Sequence, residues 1–175
     1  MAIMQRWGMK VAVVGSQRSM RSVDLLPKIR AYCARQERCQ QQVRDKLYAW
    51  GGHKEEVEQV IAQLIGEGFL NEARFAEHYA VSKSRQKGWG RRKIEQALKA
   101  KGVSASCITS GLKAIDREEE TGQLRMAVAK RWDRTKEKDP WIRREKVVRY
   151  FVGKGFGGEE VEKVMNEIQP HGARY

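Results

Sequence analysis

Three stretches of the chain, VRDKLYAWGGHKEEVEQVIAQL at 43–64, IEQALKAKGVSASCITSGLKAI at 94–115 and VVRYFVGKGFGGEEVEKVMNEI at 147–168, share one apolar skeleton. In each, apolar residues stand eight and four positions before a glycine and six, ten and thirteen after it. The first copy uses Val43, Leu47, Gly51, Val57, Ile61 and Leu64. The second uses Ile94, Leu98, Gly102, Ile108, Leu112 and Ile115, and the third Val147, Phe151, Gly155, Val161, Met165 and Ile168. Agreement at fifteen apolar positions around a fixed glycine is the mark of an internal repeat.

Residues four apart share one helix face, and a glycine supplies the left-handed conformation that ends a helix. Each copy therefore predicts two helices separated by a glycine turn. Ser104 is the expected side-chain cap of the helix carrying Ile108, and Asp139 and Pro140 are the cap and first-turn proline of the helix carrying Val147. Upstream of each pair lies another helical segment, Leu26 to Gln36, Glu72 to Gln86 and Glu119 to Arg134. The last carries Leu124, Val128 and Trp132 on one face. The fold class is all-α: three tandem three-helix repeats forming an elongated, curved array. Such small units are marginal alone and pack end to end. The expected divisions are 1–24, 25–70, 71–117, 118–169 and a tail at 170–175. Met9 to Val14 is strand-like, inside a weakly patterned stretch read as a flexible extension.

The 175 residues carry a formal net charge of +13, with a pI near 9.9, so a polyanion is the first partner to consider. No apolar run approaches the ~20 residues that span a bilayer, and no signal-peptide pattern opens the chain, so a cytoplasmic protein that engages no membrane is expected. The charge is concentrated. Residues 82–101 hold eight basic side chains against Glu95 alone, a net +7, and residues 125–154 hold eleven against four acids, again +7. The candidate contact residues for nucleic acid are Lys83, Arg85, Lys87, Trp89, Arg91, Arg92 and Lys93, with Arg143, Arg144 and Arg149. Arg91 and Arg92, in the first turn of a helix whose core face is set by Ile94 and Leu98, are expected to point outward. Trp89 and Trp141 lie in connections between first and second helices. Trp141 is expected to plug the gap between helices; Trp89 either plugs a gap or offers a stacking face to a base.

No catalytic constellation is visible. Cys33, Cys39 and Cys107 lack metal-ligand spacing and read as reduced thiols in helices, and His53, His78 and His171 are isolated. Glu55, Glu56, Glu159 and Glu160 sit at helix starts, where carboxylates complement the macrodipole. GKGFGG at 153–158 lacks the GK[ST] ending of a phosphate-binding loop and is the turn of the third copy. The expectation is a binding protein with no cofactor and no metal, not an enzyme.

LIGEGFLNEARFAEHYAVSKSRQKGWGRRKIEQALKAKGVS at 64–104 resembles the central signature of the RecX family, through Leu64, Gly68, Leu70, Arg74, Phe75, Ala76, Tyr79, Gly90, Ile94, Leu98, Lys101 and Gly102. ARQERCQQQVRDKL at 34–47 resembles the family's first-repeat signature more loosely, with Cys39 altered. Asn71 replaces the acid common before the RFA helix and keeps a capping role. The resemblance implies a cytoplasmic regulator that lies in the groove of a RecA filament and contacts RecA and single- and double-stranded DNA. It also implies lowered ATP hydrolysis, strand exchange and co-protease activity; the free protein is expected to be a monomer. A stand-alone DNA- or RNA-binding module with no RecA target is the alternative.

Overall fold

The computed structural model describes residues 22–169; the strand-like Met9 to Val14 and the 170–175 tail lie outside them. All regular structure among the described residues is helical. The first unit comprises α1 (Ser22–Ala34), α2 (Gln40–Ala49) and α3 (Lys54–Gly66). The second comprises α4 (Glu72–Lys87), α5 (Arg91–Lys99) and α6 (Ala105–Lys113), and the third α7 (Arg117–Arg134), α8 (Pro140–Gly153) and α9 (Gly158–Ile168).

The repeated apolar positions build the three cores. Of the fifteen, all but Leu112 and Ile168 are buried, and those two pack half-buried against their clusters. Each unit has its own cluster, completed by the first helix: Leu25 and Ile29 in α1, Phe75, Ala76 and Ala80 in α4, Leu124 and Val128 in α7. Gly51, Gly102 and Gly155 all take positive φ, at 86°, 72° and 94°. A side chain there is strained, so the glycine is required where each second helix turns into the third.

Local chemistry sets most helix starts. Asn71 Oδ1 accepts from the Arg74 N–H at 2.9 Å, Asp116 Oδ1 from the Glu119 N–H at 2.8 Å, and Asp139 Oδ1 from the Trp141 N–H at 2.8 Å, with Pro140 in the first turn. Two expectations are corrected. Ser104 stands at the cap position of α6 without a side-chain cap bond; its Oγ meets Ser106 Oγ, and its N–H donates to Glu72 Oε2 at 3.2 Å. The first helix begins at Ser22, inside the stretch read as an extension and before the expected Leu26, and runs through Pro27. Proline favours a first turn but does not dictate where the helix starts.

The units meet through a few specific contacts. Between the first and second, Cys39 at the start of α2 is buried in the second unit's cluster, and Arg74 of α4 pairs with Glu37 while donating to the Gly68 carbonyl at 3.0 Å. Between the second and third, the start of α5 abuts the turn after α8. The Gly90 N–H donates to the Lys154 carbonyl at 2.9 Å, and the Arg92 N–H to the Gly155 carbonyl at 3.1 Å. Carbonyls at one helix end thus satisfy donors at the start of another. A Cβ at Gly90 would lie 2.4 Å from the Gly155 carbonyl and the Phe156 nitrogen, so this backbone approach excludes any side chain.

Candidate nucleic-acid interface

The ten candidate residues separate by what the fold places opposite them. Arg91 is the clearest correction. Its Nε donates to Glu120 at 2.7 Å, and its two Nη atoms to the carbonyls of Leu112 at 2.8 Å and Ile115 at 3.1 Å. It points into the junction and ties α5 to the end of α6 and the first turn of α7. Glu120 is only 6% exposed; burial pushes its carboxyl above the usual carboxylate range, and the Arg91 guanidinium opposes that shift. Arg92, its neighbour, is exposed.

Arg143 and Arg144 are also turned inward. Arg143 lies 4.3 Å over the Trp132 ring, and its Nε donates to the Trp132 carbonyl at 3.0 Å. Arg144 is buried, paired with Glu162 and donating to Asn166 at 2.7 Å. Arg149 pairs one turn back with Glu145, and Arg85 pairs with Glu119 at 2.6 Å, which raises the Arg85 guanidinium pKa.

Of the two tryptophans, Trp141 departs from the plug expected of it, and Trp89 takes the packed one of its two alternatives. Trp141, the residue after the first-turn Pro140, is 69% exposed and plugs nothing. Trp89 packs half-buried against the second unit's core. Lys83 and Lys93 hold their ammonium groups 5.6 and 5.0 Å from its ring centroid, and Lys83 and Lys101 stand 5.1 and 5.7 Å from that of Tyr79. The fold thus assembles Lys83, Trp89 and Lys93, adding Tyr79 and Lys101; burial raises the Tyr79 hydroxyl pKa.

Lys87, at the end of α4, faces a cleft whose other walls are α7 and α8. Lys130, Arg131 and Lys154 line it and were missed by the sequence reading. Lys130 and Arg131, with Arg134 at i+4, already share α7, but only the docking of α8 brings Lys154 beside them.

Models of RecX domains match the chain in the order of its units: the first three-helix domain over 31–64, the second over 71–112 and the third over 118–165. The chain belongs to the RecX family. The regulatory protein RecX of Clostridium tetani is 33% identical over 131 residues, covering 74% of this chain and 60% of that protein. The chain likewise spans only about 55–61% of the length of the other clostridial RecX proteins it matches. The regulatory protein RecX of Pectobacterium atrosepticum is 29% identical over 159 residues, covering 91% of this chain and 93% of that protein. The crystal structure of RecX from Lactobacillus salivarius superposes with a TM-score of 0.76 at 19% identity, over 84% of this chain and 96% of that one. A second RecX crystal structure gives 0.73 at 22% identity, over 83% and 75%. At those identities the likeness establishes the shared RecX fold, an all-α tandem of three-helix units. No helix among the described residues is long and apolar enough to cross a membrane.

Proposed function

We propose that this protein is a non-enzymatic regulator of the RecA recombinase, which it restrains by binding the RecA–DNA filament. Lowered ATP hydrolysis, strand exchange and co-protease activity follow. The observation that carries the reading is the match of three successive RecX domain models to three successive helical units. The charge agrees with it: a chain of +13 is drawn to a filament that contains DNA, and the attraction weakens with salt. Binding is to the RecA filament and to single- and double-stranded DNA, by a monomer in the cytoplasm that needs no cofactor.

The test is RecA-dependent ATP hydrolysis on single-stranded DNA, with the full chain titrated from substoichiometric to equimolar amounts. Progressive slowing is expected. An unchanged rate at every ratio with the cognate RecA overturns the reading, and retained DNA binding in that experiment favours a stand-alone nucleic-acid module.

A further inference from the structure

Many of the described lysines and arginines, Arg30, Arg85, Arg91 and Arg144 among them, lie within ion-pair distance of a carboxylate. Lys87, Lys130, Arg131, Arg134 and Lys154 do not, and all five line one open cleft of ≈ 310 Å³ between α7, α8 and the end of α4, with no carboxylate in its wall. The Lys154 ammonium donates to the Lys87 carbonyl at 3.5 Å, which offsets the negative end of α4 there. Tyr150 forms the aromatic wall, with Arg131 4.3 Å and Lys154 5.7 Å from its ring centroid.

The first unit holds the same groove. Leu25 and Ile29 occupy in α1 the core places of Leu124 and Val128 in α7, and Gly51 ends α2 as Gly155 ends α8. In that register Lys28, Ala31, Tyr32 and Arg35 correspond to Ala127, Lys130, Arg131 and Arg134. Lys46 and Trp50 correspond to Tyr150 and Lys154. Those six first-unit residues are the lining of a second cleft, ≈ 530 Å³, between α1 and α2. Cation and aromatic have changed helices: Lys46 of α2 stands 5.9 Å from Tyr32 of α1 and 5.2 Å from Trp50. In the middle unit, with Ala76 and Ala80 in the core places, Lys83 and Lys101 fall at the corresponding positions and face Tyr79.

A pairing kept in place while its members swap helices is retained for what the pair offers outward, not for one packing contact. Together these facts lead us to infer that the groove between the first and second helices of the first and third units is a repeated single-stranded nucleic-acid site. Arg35 and Lys46 in the first unit, and Lys130, Arg131, Arg134 and Lys154 in the third, take backbone phosphates, and the aromatic ring takes the face of a base. A duplex hides its base faces, and an acidic protein surface has none to offer, so the aromatic wall favours a single strand. This rests on the nucleic-acid part of the function proposed above and adds to it the residues that make contact.

The test uses the full chain, a fluorescent oligothymidylate and anisotropy over a range of salt. Lys130→Ala with Arg134→Ala alters exposed side chains outside the core, so the circular dichroism melt stays parental. The log–log salt dependence should flatten by about 1.4, at about 0.7 per lost phosphate contact. Arg35→Ala with Lys46→Ala should flatten it in the same sense, and Lys163→Ala, outside both grooves, should leave it parental. Tyr150→Ala should weaken binding about tenfold with the slope unchanged, and Tyr150→Phe should restore it. Parental binding by both charge variants overturns the inference. So does a duplex of equal length bound as tightly as the single strand, or displacement by polyglutamate as effective as by unlabelled oligonucleotide. If the groove variants bind normally while the parent slows RecA, this inference fails and the regulatory reading stands. If the variants lose the oligonucleotide while the parent leaves RecA unaffected, the reverse holds.

Discussion

The middle unit and the two outer units place their first and third helices against each other in different ways. In the outer units the residues at one pair of equivalent places are large, Val60 and Leu25 in the first and Val164 and Leu124 in the third, all buried in their unit's cluster. At the corresponding places the middle unit has Gly111 and Ala76, and α4 and α6 lie closer together than α1 and α3 or α7 and α9. A Cβ on Gly111 would stand 2.8 Å from the backbone carbon and oxygen of Ala76. Ser110 Oγ then reaches Glu77 at 3.0 Å across the same contact. The difference teaches that a repeated apolar skeleton fixes which faces meet, whereas the size of one facing pair fixes how closely. The outer units are held by side-chain volume, the middle one by backbone proximity.

The comparison breaks hardest at Gly111. Gly111→Val copies the outer units, but the clash is with backbone that cannot rotate away, so a loss of about 3 kcal/mol is expected, read as a thermal midpoint lower by roughly 10 °C. The converse change in the third unit, Val164→Ala, opens a cavity and should cost about 2 kcal/mol. If Gly111→Val costs less than Val164→Ala, the two kinds of packing are not distinct.

The junctions sharpen the same contrast, because the middle unit meets the third through a buried pair. Arg91→Ala leaves the Glu120 carboxylate buried without its cation, and a loss of about 2 kcal/mol near neutral pH is expected. The sign with pH follows from the direction of the Glu120 shift, which is upward in the fold. A carboxyl raised above its unfolded value favours the folded state when protonated, so that contribution is present at low pH and lost as pH rises through the folded pKa. Removing Arg91 raises Glu120 further. The variant should therefore recover part of its stability as pH falls from neutral, measured by denaturant melts, and Glu120→Gln in the same background should abolish the recovery.

A smaller effect is expected at Gly102, where the conformation demands glycine but nothing lies within 4 Å of an added Cβ. Gly102→Ala should cost about 1 kcal/mol from positive φ alone. Should it match Gly111→Val, strain and not close packing dominates the middle unit. Smallest are the exposed pairs of the outer units, Arg30 with Glu67, Arg44 with Glu58 and Lys146 with Glu137, which hold those carboxyls below the usual range. Their contribution is present above the unfolded pKa and lost as pH falls through the folded one. Hydrogen exchange near pH 4 should show the amides beside Glu58, Glu67 and Glu137 losing protection modestly, and added salt should reduce the difference.

What the sequence determined by itself was carried by short spacing. The 3.6-residue period set the helices and the core side of each, Gly51, Gly102 and Gly155 marked the turns, and Asn71 and Asp139 marked two helix starts, since these are matters of backbone geometry within a few residues. Only the tertiary structure decided which cations remain available. Arg91 and Arg92 are adjacent in sequence, yet one is tied to Glu120 and two carbonyls while the other is exposed. The Arg91 partners come from α6 and α7. Lys154 came beside Lys130 and Arg131 only when α8 docked on α7, and Trp89 rather than Trp141 found a core to cover. Helix formation is decided by near neighbours along the chain, whereas the fate of a charge or a ring is decided by what a distant segment brings opposite it.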